Sequence, residues 1–462
     1  MSSLRIKNEA IQKLHENTIW ILENVGIEFK HPEVIDIFKA RGFKTENGKV
    51  FMTQKDIDKY TKHCPSSFEI KGLKSSVTMG SGPVFSGPSG ALRLLKGREG
   101  KNLTSKDFID VQKLNDTSKA TDMTNSNLFE VEDIPFENNA LVKTALSLWV
   151  TGKPIVGFAS NKKETLASIQ LAKEFYNNEF KYYILGIANV LSPLCFDGDS
   201  LDSILAYVEY EQPVCISCCS MPGLSSPVTI AGTLVQNNAE IMAGIILTQI
   251  IKPGTPVLYG NTSFASDMRY AGPAIGGIES SSFIPYIKGL ADFYGIPCRA
   301  GGAFTDSKEV DWQSGAESSI SLYTTVINDI DLIYHSCGEL DSLNMFSYEK
   351  FLLDEQIIMM LKKMHDSYAL NDEFCLESIK RTGPGGNYLF ELETTMMFKK
   401  ELMIPEYFQR EMFDNWIMNG KPDIVETAAN QIQNRIESYR RHELTEKQNS
   451  LLYPIVNKYI KE

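Results

Sequence analysis

The side chains able to do chemistry gather in a few short runs. His335, one of six histidines, ends the apolar run Leu332-Ile333-Tyr334-His335. A histidine there is either a satisfied core residue or a donor facing a ligand. Arg299 lies in the similar run Pro297–Ala303. A guanidinium keeps its charge, so it needs an anionic partner. Asp306 and Glu279 are internal candidates, and a substrate carboxylate is the external one. The segment Gly301-Gly302-Ala303-Phe304-Thr305-Asp306-Ser307-Lys308 follows. Its glycines permit close backbone approach to a ligand. Asp306 and Ser307 suit helix capping ahead of Val310. A desolvated Lys308 would be a Schiff-base candidate.

Other constellations are weaker. Cys215, Cys218 and Cys219 lack a second cysteine pair or a His-x-His partner. Cys215 and Cys218 fall on opposite faces of a strand, which favours core thiols over a metal site. Gly272–Gly277 and Gly383-Pro384-Gly385-Gly386 are not phosphate-binding fingerprints and read as loops around a small ligand. Aromatic residues are plentiful near the same run ends: Phe85, Phe158, Tyr259, Phe264, Phe304, Tyr334, Tyr348 and Tyr388. A few converging rings would make a box for a quaternary ammonium.

The elements that must position these residues alternate regularly. Strand-like runs are Thr121–Leu128, Pro154–Ala159, Tyr182–Leu191, Val214–Ser220, Pro256–Gly260, Pro297–Ala303 and Leu332–Ser336. Helical patterns follow each of them, from Asn138–Thr151 to Tyr348–Met364. Such alternation implies parallel strands and right-handed crossovers, and seven or eight units close into a (β/α)8 TIM barrel. An open doubly wound sheet is the second choice. The eighth strand is not evident; a hairpin expected over Ser76–Leu95 and a weak run near Phe346 are its two sources. The expected organisation is a helical lead-in (1–80), a barrel (81–370) and a helical extension (371–462). In a barrel the site lies where the strands end, which selects Asn125, Asn127, Phe158, Ser160, Ser192, Ser220, Tyr259, Asn261, Arg299 to Asp306, and His335.

Composition excludes several classes. Of 462 residues, 43% are hydrophobic and 23% charged, which fits a globular chain with a full core rather than disorder. The formal net charge is −12, with no basic stripe, so a nucleic-acid partner is not expected. Eight cysteines, several inside apolar runs, suggest reduced thiols in the cytoplasm. The most apolar helical stretch, Val228–Ile251, is interrupted by Gln236, Asn237, Asn238 and Glu240, which argues against a membrane span.

The ordered motifs resemble one family nearly end to end. Ile21-Leu22-Glu23-Asn24-Val25-Gly26-Ile27 and His31-Pro32-Glu33 open it. Met221-Pro222-Gly223, Gln236-Asn237-Asn238-Ala239-Glu240 and Pro253-Gly254-Thr255-Pro256-Val257 continue it. Gly302–Lys308, Gln313-Ser314-Gly315-Ala316-Glu317-Ser318, Ser347-Tyr348-Glu349-Lys350-Phe351 and Gly383–Gly386 complete it. The chain resembles the trimethylamine methyltransferase superfamily. That resemblance implies a TIM barrel and methyl transfer from a methylated amine to the cobalt of a separate corrinoid protein. The founding enzymes carry pyrrolysine; this chain does not. It is therefore similar to the branch acting on quaternary amines such as glycine betaine, proline betaine, carnitine and γ-butyrobetaine. One departure stands out. Where many members continue the Gly-Pro-Gly-Gly motif with histidines, this chain has Asn387, Glu391 and Glu393.

The expectations are then concrete. Arg299 clamps the substrate carboxylate, with His335 as a second donor and Asp306 completing the catalytic set. Phe304, Tyr259, Phe158, Tyr348, Tyr388 and Asn261 hold the substrate. No metal or tightly held cofactor is expected, the cobalamin belonging to the partner, and a homodimer is plausible. The competing readings are a Schiff-base lyase using Lys308 and a non-catalytic quaternary-amine binder.

Overall fold

The computed structural model describes residues 7–158, 160–365 and 374–460. Eight parallel strands form its centre: β1 Val84–Phe85, β2 Thr124–Asn125, β3 Ile155–Val156, β4 Ile184–Asn189, β5 Val214–Cys218, β6 Val257–Asn261, β7 Cys298–Arg299 and β8 Leu332–Ile333. Neighbours pair in chain order from β2 to β8, and β8 returns to β1. A parallel bridge between Ser86 and Met123 joins β1 to β2 and closes the ring. The barrel expectation holds, and the segment at Val84 supplies the missing strand. Phe346 instead sits in a small outer sheet beside Arg93–Lys96. The expected hairpin over Ser76–Leu95 is divided. Ser76–Met79 pairs with Phe68–Lys71, while Arg93–Lys96 pairs with Glu99–Asn102.

Strand parity sorts the side chains. On β5, Cys215 points into the barrel core, whereas Ile216 and Cys218 join the outer jacket. On β8, Leu332 and Tyr334 face inward and Ile333 outward. The hairpin residues Phe68, Ile70, Val77 and Met79 pack into the same inner core. They plug the end where the strands begin and leave the other end open.

Three helices precede the barrel: α1 Asn8–Asn24, α2 Pro32–Ala40 and α3 Gln54–Thr61. Short strands lie among them, and Ile27–Phe29 pairs with Cys195–Phe196 from the barrel loops. The jacket comprises α4 Ser105–Thr117, α5 Asn139–Val150, α6 Lys162–Phe175, α7 Gly198–Glu209, α8 Ile230–Ile251, α9 Ile278–Tyr294, α10 Trp312–Ile327 and α11 Tyr348–His365. Reciprocal capping fixes several starts, as at Thr104 with Asp107 and Asp311 with Ser314. The cap of α10 is Asp311, so Asp306 and Ser307 are free for other contacts. By length and composition α8 could cross a membrane, but here it is a core helix. Its polar residues are buried with partners: the Glu240 carboxylate accepts from Ser192, Leu194 N–H, Cys218 and Gln236.

The extension contains α12 Leu376–Thr382, α13 Leu392–Glu401, α14 Phe413–Met418, α15 Ile424–Ser438 and α16 Glu446–Val456. α15 packs on α11 and α4, and α16 on α5. The expected boundary at 370–371 lies outside the described residues.

Candidate active site

A cavity of about 470 Å³ opens where the strands end. It takes its two basic side chains from β7 and the residue pair after β8. Arg299 is 3% exposed. Its Nη1 donates to Ser217 Oγ and Thr262 Oγ1, both at 2.7 Å. Its guanidinium carbon lies 4.9 Å from the centre of the Tyr334 ring. Nε is buried without a partner. Neither Asp306 nor Glu279 pairs with it, and among the described residues no carboxylate forms an ion pair with Arg299. A buried cation held by hydroxyls and a ring, with a donor unspent, is incomplete without an anion.

His335 faces the same cavity. Its φ of 57° is left-handed, a conformation that costs a non-glycine residue energy. Nδ1 lies 2.9 Å from Glu339 Oε2 and 3.1 Å from Oε1. A carboxylate only accepts, so Nδ1 carries the proton and Nε2 remains for the cavity. Glu339 is 1% exposed and also accepts from Ser89 N–H at 3.0 Å. Below, Asn125 Nδ2 donates to Tyr334 Oη, which donates to Ser89 Oγ at 3.1 Å. This chain of polar contacts fixes Tyr334 between the two basic groups.

Asp306 does not line the cavity. Its carboxylate accepts from Ile275 N–H at 2.8 Å, Gly276 N–H at 3.1 Å and Ser342 Oγ at 2.5 Å. Burial raises its pKa. Ile275 and Ser342 are both wall residues, so Asp306 ties two wall-forming loops together. Gly302 has a different task from the one its sequence suggests. A Cβ there would lie 2.5 Å from the Tyr334 carbonyl, so the close approach is to the neighbouring strand rather than to a ligand.

Of the eight aromatic residues near the strand ends, Phe264 and Tyr334 line the cavity. Phe304 packs behind the wall with Phe264 and Ile275, 6.1 Å from the His335 ring. Tyr259 points outward; its hydroxyl donates to Asn238 and its ring stacks on Tyr294. Phe158 lies under the Lys143 ammonium and is not a wall residue. The Asn261 side chain accepts from Ser263 N–H and its Nδ2 is buried without a partner. Tyr348 bonds Asp107, and Tyr388 is in the extension, 44% exposed. The expected ring box therefore does not assemble from these residues. Lys308 pairs with Asp341 at 3.2 Å on a side chain 67% exposed, which removes the desolvation that a Schiff-base lysine needs. Glu391 and Glu393 both pair with Arg381, at 2.8 and 2.7 Å.

A model of one family, trimethylamine methyltransferase (MTTB), matches residues 4–461. The chain belongs to that family. It is 32% identical over 420 residues to a glycine betaine methyltransferase from Desulfitobacterium hafniense, covering 89% of this chain and 88% of that one. It is 32% identical to a proline betaine:corrinoid methyltransferase from Eubacterium limosum (99% and 97% covered). An L-carnitine:corrinoid methyltransferase of the same organism is 30% identical (96% and 94%). Among solved structures, the monomethylamine methyltransferase MtmB of Methanosarcina barkeri superposes with a TM-score of 0.52 at 9% identity, over 94% of this chain and 98% of that one. That likeness concerns the fold.

Several wall and support residues of this family member escape a reading by strand ends: Ser89, Asn189, Ser217, Glu339 and Leu343. Only Glu339 carries a signal in the sequence, four residues after His335.

Proposed function

We propose that the chain is a corrinoid-dependent methyltransferase that moves a methyl group from a betaine-class quaternary amine to Co(I) of a separate corrinoid protein. The observation that carries this reading is the buried Arg299 guanidinium, with no carboxylate partner, facing a cavity whose wall includes no Asp or Glu. A betaine is a zwitterion. Its carboxylate completes Arg299, with the His335 ring beside it in the same cavity. Its ammonium has no N–H and needs none; the Phe264 ring and the unpartnered Asn127 Oδ1 offer electron-rich surface. A methylated amine lacking the carboxylate would bring a second positive charge beside Arg299 and gain nothing. The names of the three relatives agree with this choice.

The transfer is an in-line displacement on carbon. The Co(I) electron pair forms the new Co–C bond, the C–N pair stays on nitrogen, and a neutral tertiary amine departs. No proton is required. The residues here hold the carboxylate end and exclude water, which fixes the methyl group toward the open barrel end. The corrinoid protein reaches it there. Among the described residues the cysteines form no disulfide, which suits a reducing compartment, and we place the reaction in the cytoplasm.

The test mixes the protein with reduced cobalamin, or with a cognate corrinoid protein, and follows methyl-Co(III) absorbance across betaines, choline and trimethylamine. Turnover with a betaine alone is expected. Binding of a betaine without transfer to either acceptor would favour a non-catalytic binder.

A further inference from the structure

Three runs that lie apart in the sequence, Gly302–Lys308, Gln313–Ser318 and Ser347–Phe351, meet at one buried ion pair. Lys350 and Asp354 stand one turn apart on α11. Lys350 Nζ is 2.6 Å from Asp354 Oδ2, and the two side chains are only 2% and 3% exposed. The same Nζ donates to Ser318 Oγ on α10 at 3.0 Å and to the Ala303 carbonyl at 3.5 Å. Its three protons are thereby spent, and neither side chain is a wall residue of the cavity. The pair does not touch a substrate held there.

Its contacts instead form a closed circuit around the turn that carries His335 and Glu339. Ala303 accepts from Lys350 through its carbonyl, and its N–H donates to the His335 carbonyl at 2.8 Å. Asp354 Oδ2 accepts from Gly338 N–H at 2.8 Å, and the Gly338 carbonyl accepts from Ser347 N–H at 2.8 Å. Gly338 has a φ of 84°, and a Cβ there would lie 2.4 Å from the Phe346 ring. The turn therefore presses on the residues leading into α11. Ala303 follows Arg299 on the β7 side of the cavity. One ion pair is thus tied to both segments that deliver a basic side chain to the cavity. Burying two charges gains little stability over an apolar pair of similar volume. What an apolar pair cannot supply is the set of directed hydrogen bonds to Ala303, Ser318 and Gly338.

We propose that Lys350 and Asp354 are positioning residues for the substrate site, which orient the His335–Glu339 turn against the segment after Arg299 and supply geometry rather than stability. Only the kinetic readout of this inference rests on the betaine reading.

The variant Lys350→Met/Asp354→Leu makes the pair apolar. Its thermal midpoint should equal or exceed that of the wild type. KM for a betaine should rise roughly tenfold with kcat within about twofold, because the carboxylate end is oriented less well while the open barrel end is unaltered. Heteronuclear NMR of the chain with isotope-labelled histidine reads the same effect without substrate, His335 being assigned through His335→Gln. The wild type should show the Nδ1–H tautomer alone at His335, and the apolar variant a mixture of both tautomers. Lys350→Gln/Asp354→Asn returns hydrogen-bonding groups without charge and should bring both readouts back toward the wild type. An apolar variant with the wild-type KM and His335 spectrum overturns the proposal. So does an apolar variant that fails to fold, or one whose midpoint falls with kcat and KM lost together, since either makes the pair a requirement of the fold. If the wild type binds no betaine, the substrate reading fails, and the His335 tautomer alone decides the positioning role.

Discussion

Each end of the barrel holds an enclosed cation, and the two are solved differently. Where the strands begin, Lys153 Nζ donates to the carbonyls of Asn115 at 2.5 Å, Ser118 at 2.8 Å and Thr121 at 2.6 Å. Three donors meet three acceptors. The hollow beside it is about 550 Å³, larger than the one at the other end, but of its other charges Lys362 is matched by Asp122 and His365 by Asp329, and Lys119 is exposed to solvent. Where the strands finish, Arg299 keeps a buried Nε without a partner and finds no carboxylate. Cavity size and burial thus fail to separate structure from function here. An unspent donor on the cation itself does separate them.

The sharpest way to break this contrast is to remove each cation. Arg299→Ala should lower kcat/KM for a betaine by roughly a thousandfold, about 4 kcal/mol, mostly through KM, because a desolvated carboxylate loses its only charged partner. Its thermal midpoint should hold or rise, since an unpaired buried charge has been deleted. An unchanged KM would end the clamp assignment. Lys153→Met should do the reverse. Stranding the buried Ser118 and Thr121 carbonyls should cost about 3 kcal/mol in urea unfolding, with KM unaltered. A shifted KM there would mean that the closed pole communicates with the site.

The cation at the closed end titrates within reach of experiment: burial lowers the Lys153 pKa from 10.5 to about 8. The unfolded chain then binds a proton that the folded chain has released between pH 8 and 10.5. Stability therefore rises with pH in that window, as the cost of burying the charged ammonium disappears. Between pH 7 and pH 9.5 the wild type should gain about 2 kcal/mol relative to Lys153→Met. A flat difference would show that the carbonyls keep the ammonium protonated.

What the sequence made legible follows from the same geometry. The alternation of apolar runs with helical patterns was enough for the barrel, because both periods come from backbone geometry alone. It hid β1, whose two residues between Gly82-Pro83 and Gly87-Pro88 are too short to show a period. Arg299 and His335 reach the cavity because a strand end fixes height along the barrel. Tyr259 was misplaced because height without parity leaves the face undetermined, and β6 turns it outward beside inward Leu258. Tyr348 and Tyr388 were aromatic but far in space. Ser217 and Thr262 hold Arg299 only because folding brings them to it, so no local pattern marks them, and Glu339 left only its spacing from His335.

Glu339 offers the finest test, because it separates being present at the site from being positioned there. Its carboxylate holds His335 Nδ1 and Ser89 N–H together, and His335 itself has a left-handed backbone. Glu339→Gln preserves shape and removes the charge. The amide can still accept one of the two donors, so the fold should persist. The ring loses the acceptor-only partner that fixes its tautomer, since an amide can also donate, and kcat/KM for a betaine should fall about tenfold, near 1.4 kcal/mol. Arg299→Ala combined with Glu339→Gln should cost less than the two separately, because both act on one bound carboxylate. Strict additivity would place Glu339 outside the substrate's reach and leave Arg299 as the sole anchor at the open pole.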